Sequence, residues 1–140
     1  MISVLGSTGK YILQPSLLDK HKLTLEWLSA IALWKREISF FQKVLDQNAG
    51  NSDAVEFKKD VDHFQNLIIY YDGELIDLLR KKLREHEHKL AQMLQSEKES
   101  DTEYYEEHKG IMAELDSFQT AFHTFKNGFF NFIERGFSAY

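Results

Sequence analysis

The stretch YYEEHKGIMAELDSFQTAFHTFKNGFFNF, residues 104–132, decides the fold. Tyr104, His108, Ile111, Leu115, Phe118, Phe122, Phe125, Phe129 and Phe132 follow one another in strictly alternating steps of four and three. Only an α-helix brings residues so spaced onto one face; a strand would need a period of two. The stripe runs for about eight turns at 3.6 residues each. A helix alone in water cannot hide such a face, so this one needs helical neighbours.

The chain supplies two. From residue 16 to 48, Ile31, Trp34, Ile38, Phe41 and Leu45 keep the same alternation, and Trp27 and Thr24 extend it backwards. Leu28, Leu33, Phe40 and Val44 widen the stripe beyond a two-stranded seam. Pro15 precedes this helix, with Ser16 as its N-cap and Asp19 in the capping-box position. The segment NAGNSD, residues 48–53, then reads as a turn. Gly50 suits the residue just past a helix end, and Ser52 or Asp53 suits the next cap.

The second neighbour covers residues 52–97. Val61, Phe64, Ile68, Tyr71 and Leu75 lead to Leu79, Leu83, His86, Leu90 and Met93 through two consecutive steps of four, a stutter that unwinds a supercoil locally. Asp72-Gly73 is a candidate break. A lone helical glycine costs only ~1 kcal/mol relative to alanine, however, and the periodicity resumes at once, so one long helix is expected. Ser100 or Asp101 caps the third helix, 101–135, and Gly136 ends it. Short links make neighbours antiparallel. The expected fold is all-α, an up-down-up antiparallel three-helix bundle of residues 16–140, with residues 1–15 as an arm that is flexible or packed on it.

Counting outward from the turns places Trp34 level with Ile68 and Phe129, and Trp27 level with Leu75 and Phe122. It also leaves the end that carries His86, Leu90 and His108 overhanging the first helix. That overhang calls for cover from the arm, a second copy of the chain or a partner.

Composition narrows the function classes. Net charge is −5, which argues against a dedicated nucleic-acid binder. Cysteine is absent, which removes disulfides, thiol nucleophiles and thiolate metal sites together. No apolar run approaches the ~18 residues of a membrane span, and the start lacks the form of a signal peptide, so a cytoplasmic protein without membrane contact is expected.

The one stretch that invites a chemical reading is EHEH, residues 85–88. Glu85 and His88 have the Glu-x-x-His spacing found twice in di-metal bundles, but it occurs here once, and such sites use four helices. Residues two apart on a helix face away from each other, so His86 and His88 cannot share an ion. On the seam His86 faces inward, while Glu85, Glu87 and His88 point outward. A second arrangement joins His21, His86 and His108, with Glu107 adjacent, as an interhelical zinc set. The register puts these on different levels.

GSTGK, residues 6–10, lacks the spacing of a phosphate loop and precedes no βαβ unit. The basic run of Arg80, Lys81, Lys82, Arg84 and Lys89 lies close to an acidic one, as expected of complementary helix faces. Phe130, Phe137 and Tyr140 fall off the seam, and together with Phe40 they would form an exposed patch.

EWLSAIALWKREISFFQKVLDQ, residues 26–47, and HFQNLIIYYDGELIDLLRKKLREHEHKL, residues 63–90, resemble a group of small uncharacterised bacterial all-helical proteins. The resemblance rests on Glu26-Trp27-Leu28-Ser29, Trp34-Lys35-Arg36-Glu37 and His63-Phe64-Gln65, and spans roughly residues 20–135. It implies a helical fold and no catalytic residues. The architecture is also similar to a spectrin-type repeat, by analogy of fold alone. The expected function is a non-enzymatic intracellular module, without cofactor, that contacts a protein partner or a second copy of itself. The alternative is a ligand- or metal-binding bundle using His21, Glu85, His86, His88 and His108.

Overall fold

The computed structural model describes residues 15–96 and 102–138. Helix α1 is Pro15–Asn48, α2 Val55–Tyr70 and α3 Asp77–Gln95, and a π-helical turn, Tyr71–Ile76, joins α2 to α3 without interruption. Helix α4 is Thr102–Ser138. The described residues thus form three helical stretches and no strand. No helix among them is long and apolar enough to cross a membrane. The arm, its GSTGK segment, the cap expected at Ser100 or Asp101, and Tyr140 lie outside the described residues, as does the side chain of Phe137.

Several helix ends differ from the expected ones. Helix α1 opens on Pro15 itself, whose missing N–H would be unpaired in a first turn anyway. Ser16 therefore lies inside the helix and does not cap it. At the other end Gly50 has no left-handed φ. Two asparagines close the helix instead. The Asn48 amide donates to the Val44 carbonyl at 2.7 Å, and Asn51 returns both its backbone N–H (3.0 Å) and its side-chain amide (2.7 Å) to Asn48. Ser52 Oγ then accepts the Ala54 N–H at 3.1 Å, and Ala54, extended at φ −62 and ψ 137, stands at the cap of α2. The second helix consequently begins at Val55, later than the expected residue 52. Helix α4 runs through Gly136 to Ser138, because that glycine too keeps an ordinary helical backbone.

The late start of α2 moves the register. Gln42 and Gln65 exchange two amide hydrogen bonds at 2.8 Å, and Lys35 reaches Asp72. Trp34 consequently lies on Phe118 (4.8 Å between ring centroids) and Phe122, not on Phe129 as expected; Phe129 meets Phe41 at 5.1 Å.

The described residues divide into two compact units, one of residues up to 31 with 79–115, the other of 32–78 with 116 onward. The second has an aromatic core. Phe64 packs on Phe129 and Phe132, and Tyr71 meets Phe118, Phe122 and Phe125. Partner numbers in α4 rise along α1 and fall along α2, so within this unit α1 runs parallel to α4 and α2 antiparallel. In the first unit Leu17 packs with Leu90, Met93 and Tyr104, all buried. The first turns of α1 therefore cover the end that was expected to overhang.

The π turn is where the stutter is absorbed. After Tyr71 the next fully buried position is Ile76, while Leu75 is only half-buried. One i→i+5 turn accommodates a single extra residue, so the slip is taken up locally. The Lys35 ammonium ties this turn to α1, donating to the Asp72 carbonyl (3.1 Å) and pairing with the Asp72 (2.7 Å) and Asp77 (3.1 Å) carboxylates.

Two stability predictions follow from these contacts. Gly73 is exposed, has no positive φ, and would place an added Cβ in open space. Gly73→Ala should therefore raise the unfolding free energy by up to ~1 kcal/mol, measured by urea titration. Phe125 is 4% exposed amid Phe41, Phe64, Tyr71, Phe122 and Phe129. Phe125→Ala should cost about 3–5 kcal/mol, and a melt within a degree or two of the parent would contradict the packing described.

Candidate functional site

The first unit buries polar groups where the second is almost wholly apolar. His21, Thr24, His86 and His108 are all buried there. Thr24 is satisfied within its own helix, its hydroxyl donating to the Lys20 carbonyl at 2.9 Å. The histidines interact between helices.

His86 is fully buried on α3 and uses both ring nitrogens. Nδ1 lies 2.7 Å from Glu107 Oε1, and Nε2 lies 2.9 Å from His108 Nδ1, both on α4. The Lys89 ammonium holds the other Glu107 oxygen at 3.0 Å. Partial burial pushes the Glu107 carboxyl up, but the hydrogen bonds from His86 and Lys89 outweigh it and hold it below its usual value. The carboxylate is therefore an acceptor, which sets the tautomers. His86 donates Nδ1–H to Glu107, its Nε2 accepts Nδ1–H from His108, and His108 Nε2 keeps a lone pair. The result is an ordered carboxylate–imidazole–imidazole chain between α3 and α4.

Tyr104, one turn before His108, stacks flat on His86, with ring centroids 4.2 Å apart and planes 4° apart. Its phenol is buried without a hydrogen-bond partner among the described residues. Burial first, and then the nearby Glu87 charge, pushes the phenol pKa up. A buried hydroxyl left without a partner costs ~1–3 kcal/mol.

The five residues singled out in the sequence separate into different settings. His86 and His108, expected on different levels, are hydrogen-bonded. His21 is buried and pairs through Nδ1 with Glu87 Oε2 at 2.8 Å. Glu87 was expected to face solvent, yet its side chain is only 14% exposed and turns toward α1. Nothing in the spacing of EHEH distinguishes Glu87 from Glu85, which is exposed. His88 is exposed as well and lies 3.4 Å from the Gln92 amide on its own helix. Among the described residues no group of three or more His, Asp or Glu side chains is arranged to hold a metal ion. Both His86 nitrogens are engaged, and His21 Nδ1 is taken by Glu87.

A second feature lies in the second unit. Phe40 (59% exposed) and Phe130 (45% exposed) flank a groove of about 480 Å³. Val44, Phe129 and Ile133 complete its apolar lining, and Gln47, Asn48 and Asn51 give it an uncharged polar edge. Phe130 is held in place by an edge-on contact with Phe41 at 5.5 Å.

No family model matches the chain, and neither the curated proteins nor the solved structures provide a match. The similarity to small bacterial helical proteins thus rests on the quoted motifs alone.

Truncating His86 would leave the His108 Nδ1–H without its acceptor, cost Glu107 one of its two partners and remove the stack on Tyr104. His86→Ala should therefore cost roughly 3 kcal/mol, whereas His88→Ala should stay within about 0.5 kcal/mol of the parent. Chemical denaturation of the two variants side by side measures the difference.

Proposed function

We propose that the protein is a non-enzymatic module that works by contact, taking an apolar segment of another protein chain into the groove between Phe40 and Phe130. One observation carries this reading. Two phenylalanines remain largely in water beside a shaped apolar concavity, although the same helices bury their other large aromatics nearby. Covering a phenylalanine side chain recovers ~1.5–3 kcal/mol of transfer free energy, and aromatic anchors in pockets commonly dominate binding. The groove has room for two or three large side chains. Its edge of Gln47, Asn48 and Asn51 offers hydrogen bonds to a partner backbone and brings no charge. Binding there should depend on shape and apolar area, with little sensitivity to salt.

The alternative, a ligand- or metal-binding bundle, would have to work through the histidines, and their nitrogens are largely committed to partners within the chain. Selection from a random peptide library should return peptides with two apolar anchors at helical spacing. Binding of those peptides should fall at least tenfold in Phe40→Ser/Phe130→Ser, while the melting temperature stays close to the parent's. Peptides that bind both proteins equally would remove the groove from the proposal. Sedimentation of the intact chain decides whether a second copy is one of the partners.

A further inference from the structure

We infer that the His86–His108 pair is a proton-operated latch, holding α3 to α4 in the first unit while it carries at most one added proton and releasing them when it takes a second. The argument starts from the hydrogen-bond inventory of imidazole. In the neutral chain each N–H between Glu107, His86 and His108 has a lone pair to meet. One added proton can be accommodated. It sits on His108 Nε2 with every bond intact, or on His86 beside the Glu107 carboxylate, with His108 changing tautomer to accept. A second proton has no such solution. His86 Nε2–H would then face His108 Nδ1–H across 2.9 Å, with two like charges in the core.

The surroundings supply no second hydrogen-bonding carboxylate to the pair among the described residues. Among the described residues Glu107 of α4 is the only carboxylate hydrogen-bonded to the pair, and it is shared with Lys89 of α3. Tyr104 covers the face of His86 and Tyr105 flanks Tyr104, neither of them bringing a charge. From α1, the Lys20 ammonium lies over the Tyr105 ring at 5.0 Å and disfavours a proton on His108. The Glu87 carboxylate, paired with His21 of α1, also favours a proton on His86 but makes no hydrogen bond to it among the described residues. With His86 fully buried and His108 only 5% exposed, the rings cannot turn into solvent unless the helices separate.

The direction of the titration agrees. Burial lowers His86 despite its bond to Glu107, and burial, then His86 and Lys20, lower His108 to about 4. Released imidazoles return toward the usual 6.5 or so. The open form therefore binds more protons, and the closed form keeps its full advantage above about pH 6.5 and loses it as pH falls toward about 4. The second unit buries no histidine and has no equivalent.

Hydrogen exchange of the intact chain at pH 7.5 and 5.0, corrected for intrinsic rates, tests the latch. Amides of residues 79–95 and 102–115 should lose at least tenfold protection at pH 5.0, while those of 57–70 and 118–132 hold theirs. His108→Gln keeps a donor toward His86 but takes up no proton, so it should flatten this response; His21→Gln should not. Equal loosening of both units, or an unchanged response in His108→Gln, overturns the latch. Should that variant not fold, imidazole nitrogen shifts of the parent decide. Two histidines titrating together near 6.5 with no loss of protection would reject it, and two well-separated steps, the second accompanying opening, would support it.

Discussion

The apolar face of α4, from Tyr104 to Phe132, has to be covered along its whole length, and the other helices answer to that requirement. In the second unit α1 and α2 meet it with Trp34, Phe41, Phe64 and Tyr71; in the first, Leu17, Leu90 and Met93 meet it at Tyr104. A long stripe that steps by four and three can be matched only by partners that keep step with it. Helix α1 does so through Ile31, Trp34, Ile38, Phe41 and Leu45, all buried. The stretch after α2 does not, and it adds a residue at Tyr71–Ile76. The π turn is the local form that the mismatch takes, with Lys35 bridging Asp72 and Asp77 across it.

Side-chain periodicity carries the information about which face is buried, and it was readable here almost residue by residue. All nine positions named on α4 are buried, as are His86, Leu90 and Met93 on α3. Periodicity says nothing about level, which depends on the link between helices. The turn after Asn48 looked shorter than it is, because Gly50 offered an obvious helix stop and Ser52 an obvious cap. Asn48 closes the helix through its own side chain, and Ala54, a residue with no capping signature, begins the next. That displaced register is why Trp34 lies on Phe118 and Phe122 and not on Phe129; the level of His86 against His108 depends instead on the separate link between α3 and α4. The inward turn of Glu87 was hidden for a related reason. It becomes visible only once His21 is known to lie opposite.

The two units differ in what their cores are made of, and so in what they can respond to. An aromatic core gains stability from area and from edge-on ring contacts, neither of which changes with pH. A core with imidazoles in a hydrogen-bonded chain is different, because its contacts depend on proton count. Replacing such a network with hydrocarbon of similar shape is often neutral or stabilising, so its presence calls for a reason other than stability. The Tyr104 phenol, buried without a hydrogen-bond partner among the described residues, lies against the same chain. Stacked on His86, it gives the ring a flat apolar wall but offers no acceptor that would ease a second proton.

The groove and the histidine chain fall in different units. Phe40 and Phe130 line their groove with no titrating side chain among the lining residues, so what the groove offers is apolar area and three amide side chains. The histidine chain, by contrast, has no surface of its own to offer a partner, since its members are buried or turned to one another. Each feature is therefore open to a substitution that leaves the other's contacts in place. Among the described residues no histidine lines the groove. Loss of peptide binding and loss of pH response are accordingly separate outcomes, and neither is a by-product of general instability unless the aromatic core of the second unit fails as well.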